Sequence, residues 1–249
     1  MLVFAAVAVL AGADAQLLFR NGPLVTHPGQ GAGGADVSMA SAVPNTGGSN
    51  VTAVVWRADD FTVDGPGWIV NRIDTYAYDT NFANPRFANA QIQIRGGSAE
   101  GEVVASADAT WTYSGINRIF NGVANLASTA RQVQRVTGTF ADIVLHPGLY
   151  FMVFKVENTA STPTAVVNNW VPYVMDINPS DPNDPITRVG NSLTSTNSGA
   201  TFAPTVVSTG GWNQDPELPF RVDGQPVPEP ATMVALGVGL AAVAARRAG

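Results

Sequence analysis

The strongest hydrophobic run in the chain reads Leu149-Tyr-Phe-Met-Val-Phe-Lys-Val156, and the turn His146-Pro-Gly148 leads into it. The run is apolar at odd and even positions alike, so a strand formed by it is apolar on both faces. Such a strand is buried on both sides, whereas a strand with one face in water alternates between apolar and polar residues. We therefore expect this strand at the centre of the fold, with a layer of protein on each face.

The chain around this run also reads as strands and turns. Residues 91–95 alternate with period two, residues 68–78 form a long candidate strand, and the glycine-rich segment 29–36 reads as a flexible loop. Further β-rich segments lie at 17–19, 51–56, 59–63, 102–113, 116–120, 131–140, 169–176 and 218–222. About ten to twelve strands, with turns every ~8–12 residues and no long amphipathic helix, predict an all-β fold. We expect a two-sheet antiparallel β-sandwich with jelly-roll-like topology.

Composition narrows the class of protein. Of 249 residues only 13% are charged, the formal net charge is −6, and there is no cysteine. An acidic protein repels phosphate backbones, so the charge argues against nucleic acid as a partner. Without cysteine there is neither a disulfide nor a thiol nucleophile, and stability must come from burial.

Both ends of the chain carry apolar segments. Residues 2–10 form an apolar run, and Ala13-Asp-Ala15 before Gln16 fits a small-x-small cleavage site, although no Lys or Arg precedes Arg20. We therefore predict a signal peptide at residues 1–15 and a β-sandwich domain at residues 16–224.

The C-terminal segment 225–249 has three parts. Val227-Pro-Glu-Pro230 comes first, an uncharged apolar run follows at residues 231–245, and Arg246 and Arg247 close it. A helix over the run would reach ~22 Å at ~1.5 Å per residue, slightly short of a ~30 Å hydrocarbon core. Basic residues stay on the cytoplasmic side, so the run predicts a hydrophobic transmembrane-type helix with the domain outside.

This order of parts resembles the PEP-CTERM sorting signal of Gram-negative bacteria that make exopolysaccharide. The resemblance implies an exported protein that an exosortase recognises and processes near Pro-Glu-Pro. It implies transient contact with the inner membrane, and then a place in the cell envelope, at the cell surface or in the extracellular matrix. The sorting and processing residues that it implies are Val227, Pro228, Glu229, Pro230, Arg246 and Arg247. More diffuse motifs across residues 50–223 resemble lectin-like or carbohydrate-binding sandwich domains.

Catalytic signals are few. His27 and His146 are the only histidines, and there is no Gly-x-Ser-x-Gly motif, so we expect neither a serine triad nor a zinc site. A glycosidase needs only two carboxylates ~5–9 Å apart. The candidate acids, which lie in or near strands, are Asp59, Asp60, Asp74, Asp79, Glu100, Glu102 and Asp142.

Two kinds of binding site remain. Calcium prefers oxygen ligands, and the segment 176–184 and the pair at 59–60 offer them. The calcium candidates are Asp59, Asp60, Asp176, Asn178 and Asp181. Exposed aromatic rings could stack on sugars, and the candidates are Trp212, between turns, and Trp111 with Tyr113, which share one strand face.

The sequence thus predicts an exported, non-enzymatic envelope or matrix protein that binds polysaccharide weakly and has no required cofactor. Two alternatives stay open. One is a purely structural surface protein with no ligand, and the other is a glycan-acting hydrolase that uses paired carboxylates.

Overall fold

The protein is all-β, as its sequence predicts. The computed structural model describes residues 15–21, 24–40, 55–79, 86–120, 125–159, 169–170, 191–205, 207–209, 212–214 and 218–229. Within these ranges it contains fourteen β-strands and one 3-10 turn, Ala32–Gly34. None of the helical structure in these ranges has the length and apolar character needed to cross a membrane. The predicted helix at residues 231–245 lies outside them.

The strands in chain order are β1 (Gln16–Asn21), β2 (Asp36–Ala40), β3 (Trp56–Val63), β4 (Trp68–Asp79), β5 (Phe87–Gly96), β6 (Val103–Phe120), β7 (Gln132–Leu145), β8 (Gly148–Asn158), β9 (Asn169–Trp170), β10 (Leu193–Ser195), β11 (Ala203–Pro204), β12 (Val207–Thr209), β13 (Trp212–Gln214) and β14 (Phe220–Pro226).

Twelve of these strands form one curled sheet in the order β1-β14-β4-β7-β6-β5-β8-β3-β10-β11, with β2 beside β6 and β9 beside β4. Strand β6 belongs to both layers, because residues 103–108 pair with β5 and residues 109–117 pair with β7. We call the layer of β1, β14, β4, β7, late β6 and β2 sheet A, and the layer of early β6, β5, β8, β3, β10 and β11 sheet B. The architecture fits a β-sandwich, but the two expected sheets are continuous through β6.

The main core lies inside the curl, between the two sheets. Strands β4, β7 and β14 contribute Ile73, Val136 and Val222 from sheet A, and β5 and β8 contribute Ile92 and Met152 from sheet B. The turns at residues 64–67 and 146–147 each connect a strand of one sheet to a strand of the other. The apolar residues at alternate positions of these strands therefore face one shared core.

An aromatic cluster around Phe61 closes the open side of the curl, where the edge strand β1 of sheet A is not paired with sheet B. The Phe61 ring lies 5.9 to 6.1 Å from the rings of Phe19, Trp68, Tyr150 and Phe220, which come from four other strands. Aromatic pairs at such distances contribute ~0.5–1.5 kcal/mol beyond the area they bury. The cluster therefore replaces a ladder of backbone hydrogen bonds along this seam.

The prediction for β8 is confirmed: it pairs with β5 on one side and β3 on the other, and both of its faces are covered. Met152 and Phe154 face the main core, while Val153 packs in a second cluster with Trp56 and Ala99. The loop between β10 and β11, residues 196–202, lies over this outer face and supplies Phe202 to the same cluster, and β10 supplies Leu193.

Arg95 attaches this covering segment to sheet B. Its side chain is buried, and Nη1 donates to the carbonyl oxygens of Ala99 at 2.7 Å and Gly199 at 3.1 Å. Its guanidinium also lies over the Phe202 ring, 5.7 Å from the centroid. Burial is the main cause that lowers the pKa of Arg95, and the charge of Glu100 opposes that shift.

Two expectations are corrected at the level of strands. Residues 36–40, at the end of the predicted flexible loop, form β2, and β2 runs parallel to β6 in an otherwise antiparallel sheet. The last strand, predicted at residues 218–222, spans Phe220–Pro226, and Pro226 pairs with Trp68. Backbone pairing with β4 extends it, which the polar residues after Val222 do not signal.

We expect Arg95→Met to lower the free energy of unfolding by ~2–4 kcal/mol, because two buried carbonyl groups lose their donor. Urea denaturation followed by tryptophan fluorescence measures it. The control is Arg135→Met, which removes an exposed guanidinium from sheet A and should stay within ~0.5 kcal/mol. Equal stability of both variants would contradict the role of Arg95 in holding the cover.

Candidate functional site

The outer face of sheet A carries a network of alternating charges. Ile73 and Val222 point into the core, so their neighbours Arg72, Asp74, Arg221 and Asp223 lie on the opposite face. Within β4, Arg72 Nη2 donates to Asp74 Oδ2 at 2.6 Å; within β14, Arg221 Nη2 donates to Asp223 Oδ1 at 2.6 Å.

The two pairs are joined across the strands. Arg221 Nε lies 4.0 Å from Asp74 Oδ2, and Arg72 Nε lies 3.9 Å from Asp223 Oδ2. The carboxylates are buried beneath the guanidinium groups, and Thr137 donates a further bond to Asp74 at 2.7 Å. The hydrogen bonds that Arg72 donates to Asp74 are the main cause that raises the pKa of Arg72. The network therefore keeps its cations at the surface with their counter-charges underneath.

A cavity of ≈ 220 Å³ opens beside this network, at the end of sheet A where β1 and β4 finish and β14 begins. We call this the far end, because it is opposite the end at which the C-terminal segment leaves β14. Arg20 and Arg221 lie at the rim of the cavity, and Tyr76 is among its apolar walls. Its lining residues are Arg20, Asn21, Leu24, Val25, Tyr76, Ile116, Pro219, Phe220 and Arg221.

The electrostatics of Tyr76 show how the charges converge here. Burial is the largest cause that raises the pKa of Tyr76, and the charge of Asp74 adds to it. Arg221, Arg135 and Arg20 act in the opposite direction. Three guanidinium groups therefore surround one phenol at the far end of sheet A.

Two of these three guanidinium groups have no ion-pair partner within the described residues. Arg221 is paired with Asp223, but neither Arg20 nor Arg135 forms an ion pair or side-chain hydrogen bond there. Both are exposed, and Arg135 stands directly opposite Tyr76 on the neighbouring strand. On a chain of net charge −6 the site is thus locally positive.

Sequence reasoning did not find this cavity, because its residues come from opposite ends of the chain. A local signal was present: Arg72-Ile-Asp74 and Arg221-Val-Asp223 repeat the pattern Arg-x-Asp in two strands. That spacing places both charges of each strand on one face, and pairing the strands brings four charges together.

The predicted sugar-stacking residues have different environments. Tyr113 is 44% exposed and lines a shallow groove of ≈ 490 Å³ with Gly33, Gly34 and Asp36. Trp111 is half-buried, and its ring packs edge-on against Phe87 with centroids 5.7 Å apart. The side chain of Trp212 lies outside the described residues. Of the pair on β6, Tyr113 has the more exposed ring.

Of the calcium candidates, the structure describes Asp59 and Asp60. The carboxylate of Asp59 is bound by donors from the fold itself. It is fully buried, and its Oδ2 accepts hydrogen bonds from the Leu218 amide at 2.7 Å and from Asn21 Nδ2 at 3.1 Å. Asp60 accepts a bond from Asn191 at 2.6 Å. The described ranges contain no group of three or more His, Cys, Asp or Glu able to hold a metal ion. The other calcium candidates, Asp176, Asn178 and Asp181, lie outside those ranges, so calcium binding stays a prediction.

Most of the remaining candidate acids are held by nearby donors. Asp79 accepts three hydrogen bonds from Arg86, Glu100 accepts one from the Phe202 amide, and Asp142 accepts one from Asn71. Asp74 and Asp79 lie on β4, five residues apart, whereas Asp59 lies on β3, Asp142 on β7 and Glu100 in the turn between β5 and β6. The structure does not bring them together in one cavity among those described.

The C-terminal segment matches a known family. Residues 226–248 match the PEP-CTERM protein-sorting motif. No curated protein and no solved structure matches the chain. The motif supports an exported protein that is anchored in the membrane before an exosortase-type enzyme processes it. Of its predicted sorting residues Val227, Pro228 and Glu229 are described, whereas Pro230, Arg246 and Arg247 lie outside the described ranges.

We expect Asp59→Asn to lower the free energy of unfolding by ~2–4 kcal/mol, because an amide cannot accept all the bonds of this buried carboxylate. Asp60→Asn, at a half-buried neighbour with one partner, should cost under ~1 kcal/mol. Thermal denaturation with calcium and with EDTA should give the same midpoint if Asp59 is structural. If calcium raises the midpoint of the natural chain but not that of Asp60→Asn, the result would instead support the calcium prediction.

Proposed function

We propose that this chain is an exported envelope or matrix protein that binds a carboxylated extracellular polysaccharide at the far end of sheet A and catalyses no reaction. The observation that carries the proposal is the cavity where Tyr76 meets Arg20 and Arg221, with Arg135 beside it. Export and sorting follow from the C-terminal motif.

The chemistry of the cavity suits an acidic sugar. Leu24, Val25 and Tyr76 offer an apolar surface to the face of a ring, and aromatic rings are amphipathic in the same way as sugars. Guanidinium groups bind carboxylates through two parallel hydrogen bonds, which neutral sugars cannot accept with equal strength.

The size of the cavity limits what it can hold. Pockets for drug-sized ligands measure ~300–1,000 Å³, so a cavity of ≈ 220 Å³ suits one sugar unit of a polymer. A single unit bound at a partly exposed site gives weak affinity. Because a polymer repeats the unit and an envelope presents many copies of the protein, retention would come from multivalent contact.

The two alternative functions are weighed against the same residues. The hydrolase needs two carboxylates free to act on one bond, whereas Asp59, Asp74 and Asp79 accept hydrogen bonds from groups of the fold. The purely structural protein gives no reason for two exposed arginines, without an ion-pair partner among the described residues, around a cavity on an acidic chain. Both observations favour binding.

The test is retention of the full chain, in detergent, on immobilised polygalacturonate compared with neutral dextran at low salt, with EDTA present or absent. We expect retention on polygalacturonate, and loss of it at ~1 M salt, where the screening length is only ~3 Å. Arg20→Gln and Arg135→Gln should each weaken the Kd for an oligogalacturonate by ~5- to 30-fold, corresponding to ~1–2 kcal/mol.

Lys155→Gln is the control, since it removes one positive charge from sheet B. It should leave retention unchanged. Equal retention on both polymers, lost on Tyr113→Ala, would replace the acidic-sugar site by stacking in the groove of β6. No retention on either polymer would favour the structural protein, and shortening of either polymer would establish the hydrolase.

A further inference from the structure

One end of the domain gathers strand ends, turns and both ends of the folded chain. We call it the tail end. Strands β3, β5, β7 and β14 finish there, and β1, β4, β6 and β8 begin there. The register pairs that place them together are Gln16 with Gly224, Pro226 with Trp68, Trp68 with Leu145, Val63 with Gly148, and Arg95 with Val103.

The exposed apolar side chains of the described residues concentrate at this end. Six large apolar or aromatic side chains are strongly exposed, and all but Tyr113 lie within two residues of a strand terminus at the tail end. These five are between 41% and 53% exposed, and they are Leu17, Val103, Val104, Val144 and Leu149. A single exposed apolar side chain is ordinary on a protein surface. Five of them at one end of the domain, however, make that end more apolar than the rest of the described surface.

The sorting segment leaves the fold within this patch. The Val227 amide donates to the Gly67 carbonyl oxygen at 2.9 Å, so the backbone is held to the turn at residues 64–67 up to this point. Gly67 fixes that turn, since its φ is +110° and a Cβ there would lie 2.5 Å from the Leu145 oxygen. The apolar run begins at Ala231, only four residues beyond Val227.

Covalent geometry then limits how far the domain can stand from the bilayer. Four Cα steps span at most ~14 Å at ~3.6 Å per residue, and each headgroup layer is ~5–8 Å thick. With the apolar run inserted, the tail end cannot be separated from the headgroups by more than about one further layer. The first described residue, Ala15, also lies at this end, directly before Gln16, which pairs with Gly224.

We propose that the tail end is a membrane-contacting surface: while the sorting segment is in the bilayer, Leu17, Val103, Val104, Val144 and Leu149 rest in the lipid headgroup layer. This surface orients the domain with its far end away from the membrane. It also places Val227, Pro228 and Glu229 close to the bilayer surface, where an enzyme acting from the membrane meets them.

The charges at the tail end determine the kind of lipid. The turns at 64–67, 97–102 and 146–147 contain no Lys or Arg, whereas Asp64 and Glu102 are exposed. Contact is therefore apolar and shallow, and anionic headgroups oppose it. The bilayer that fits this surface is predominantly zwitterionic.

The absence of natural cysteine allows a direct test with single labelled positions. Leu149→Cys and Val144→Cys report on the tail end, and Tyr113→Cys is the matched control, an equally exposed position ~30 Å farther along β6. Each full-length chain, carrying an environment-sensitive dye, is inserted in phosphatidylcholine nanodiscs at one copy per disc. A spin label near the lipid headgroups quenches the dye.

We expect a blue shift and loss of dye fluorescence at residues 149 and 144, and neither at residue 113. Because each disc holds one copy of the chain and otherwise only lipid, neither a second chain nor an enzyme can cause the change in dye fluorescence. Equal fluorescence at all three positions would overturn the proposal. Stronger quenching after addition of phosphatidylglycerol would also overturn it, since charge attraction would then be the cause.

Discussion

A strand that is apolar on both faces must be covered by protein on both faces. In this domain the strand is β8, and the arrangement of the other elements follows from covering it. Its inner face packs against sheet A across the main core, and its outer face packs under the loop at residues 196–202. The second cover is thin, and a buried guanidinium holds it by donating to carbonyl groups from two separate segments. A buried Arg is tolerated here because its donors are paired and an aromatic ring lies beneath its charge.

The curl of the sheet has the same origin. If β8 is central in sheet B, its neighbours β5 and β3 must be joined to sheet A without leaving an open edge on the core. Strand β6 does this on one side by pairing with both layers, and the Phe61 cluster does it on the other side by side-chain packing. Both short turns that cross between the layers then lie at the tail end, and the strand ends joined by the longer connections lie at the far end. The polarity of the domain is a consequence of its topology.

The sequence predicted the features that depend on local pattern. The all-β class, the central place of β8 and the strands around residues 68–78 and 91–95 all follow from hydrophobic periodicity. Arg95 shows where that reasoning stops: it alternates with Ile94 and so reads as a solvent-facing residue, yet a segment about one hundred residues later covers it. The parallel pairing of β2 and the cavity at Tyr76 depend likewise on partners distant in sequence, which no local pattern encodes.

The separation of the two ends matters for electrostatics. Tyr76 lies eight residues along β4 from Trp68, which is ~26 Å at ~3.3 Å per residue. The screening length at physiological ionic strength is ~8 Å, so a charged membrane at the tail end has little influence on the guanidinium groups at the far end. The acidic polymer proposed above would therefore meet the local positive charge of Arg20 and Arg135 rather than the field of the bilayer. Acidic residues elsewhere on the chain would lower its affinity for an acidic polymer but would not change where the polymer binds. Asp74 and Asp223, the acids nearest the cavity, lie buried beneath their own cations. Membrane contact and polymer contact can thus be made by the same rigid sheet at the same time, each by the end whose side chains suit it.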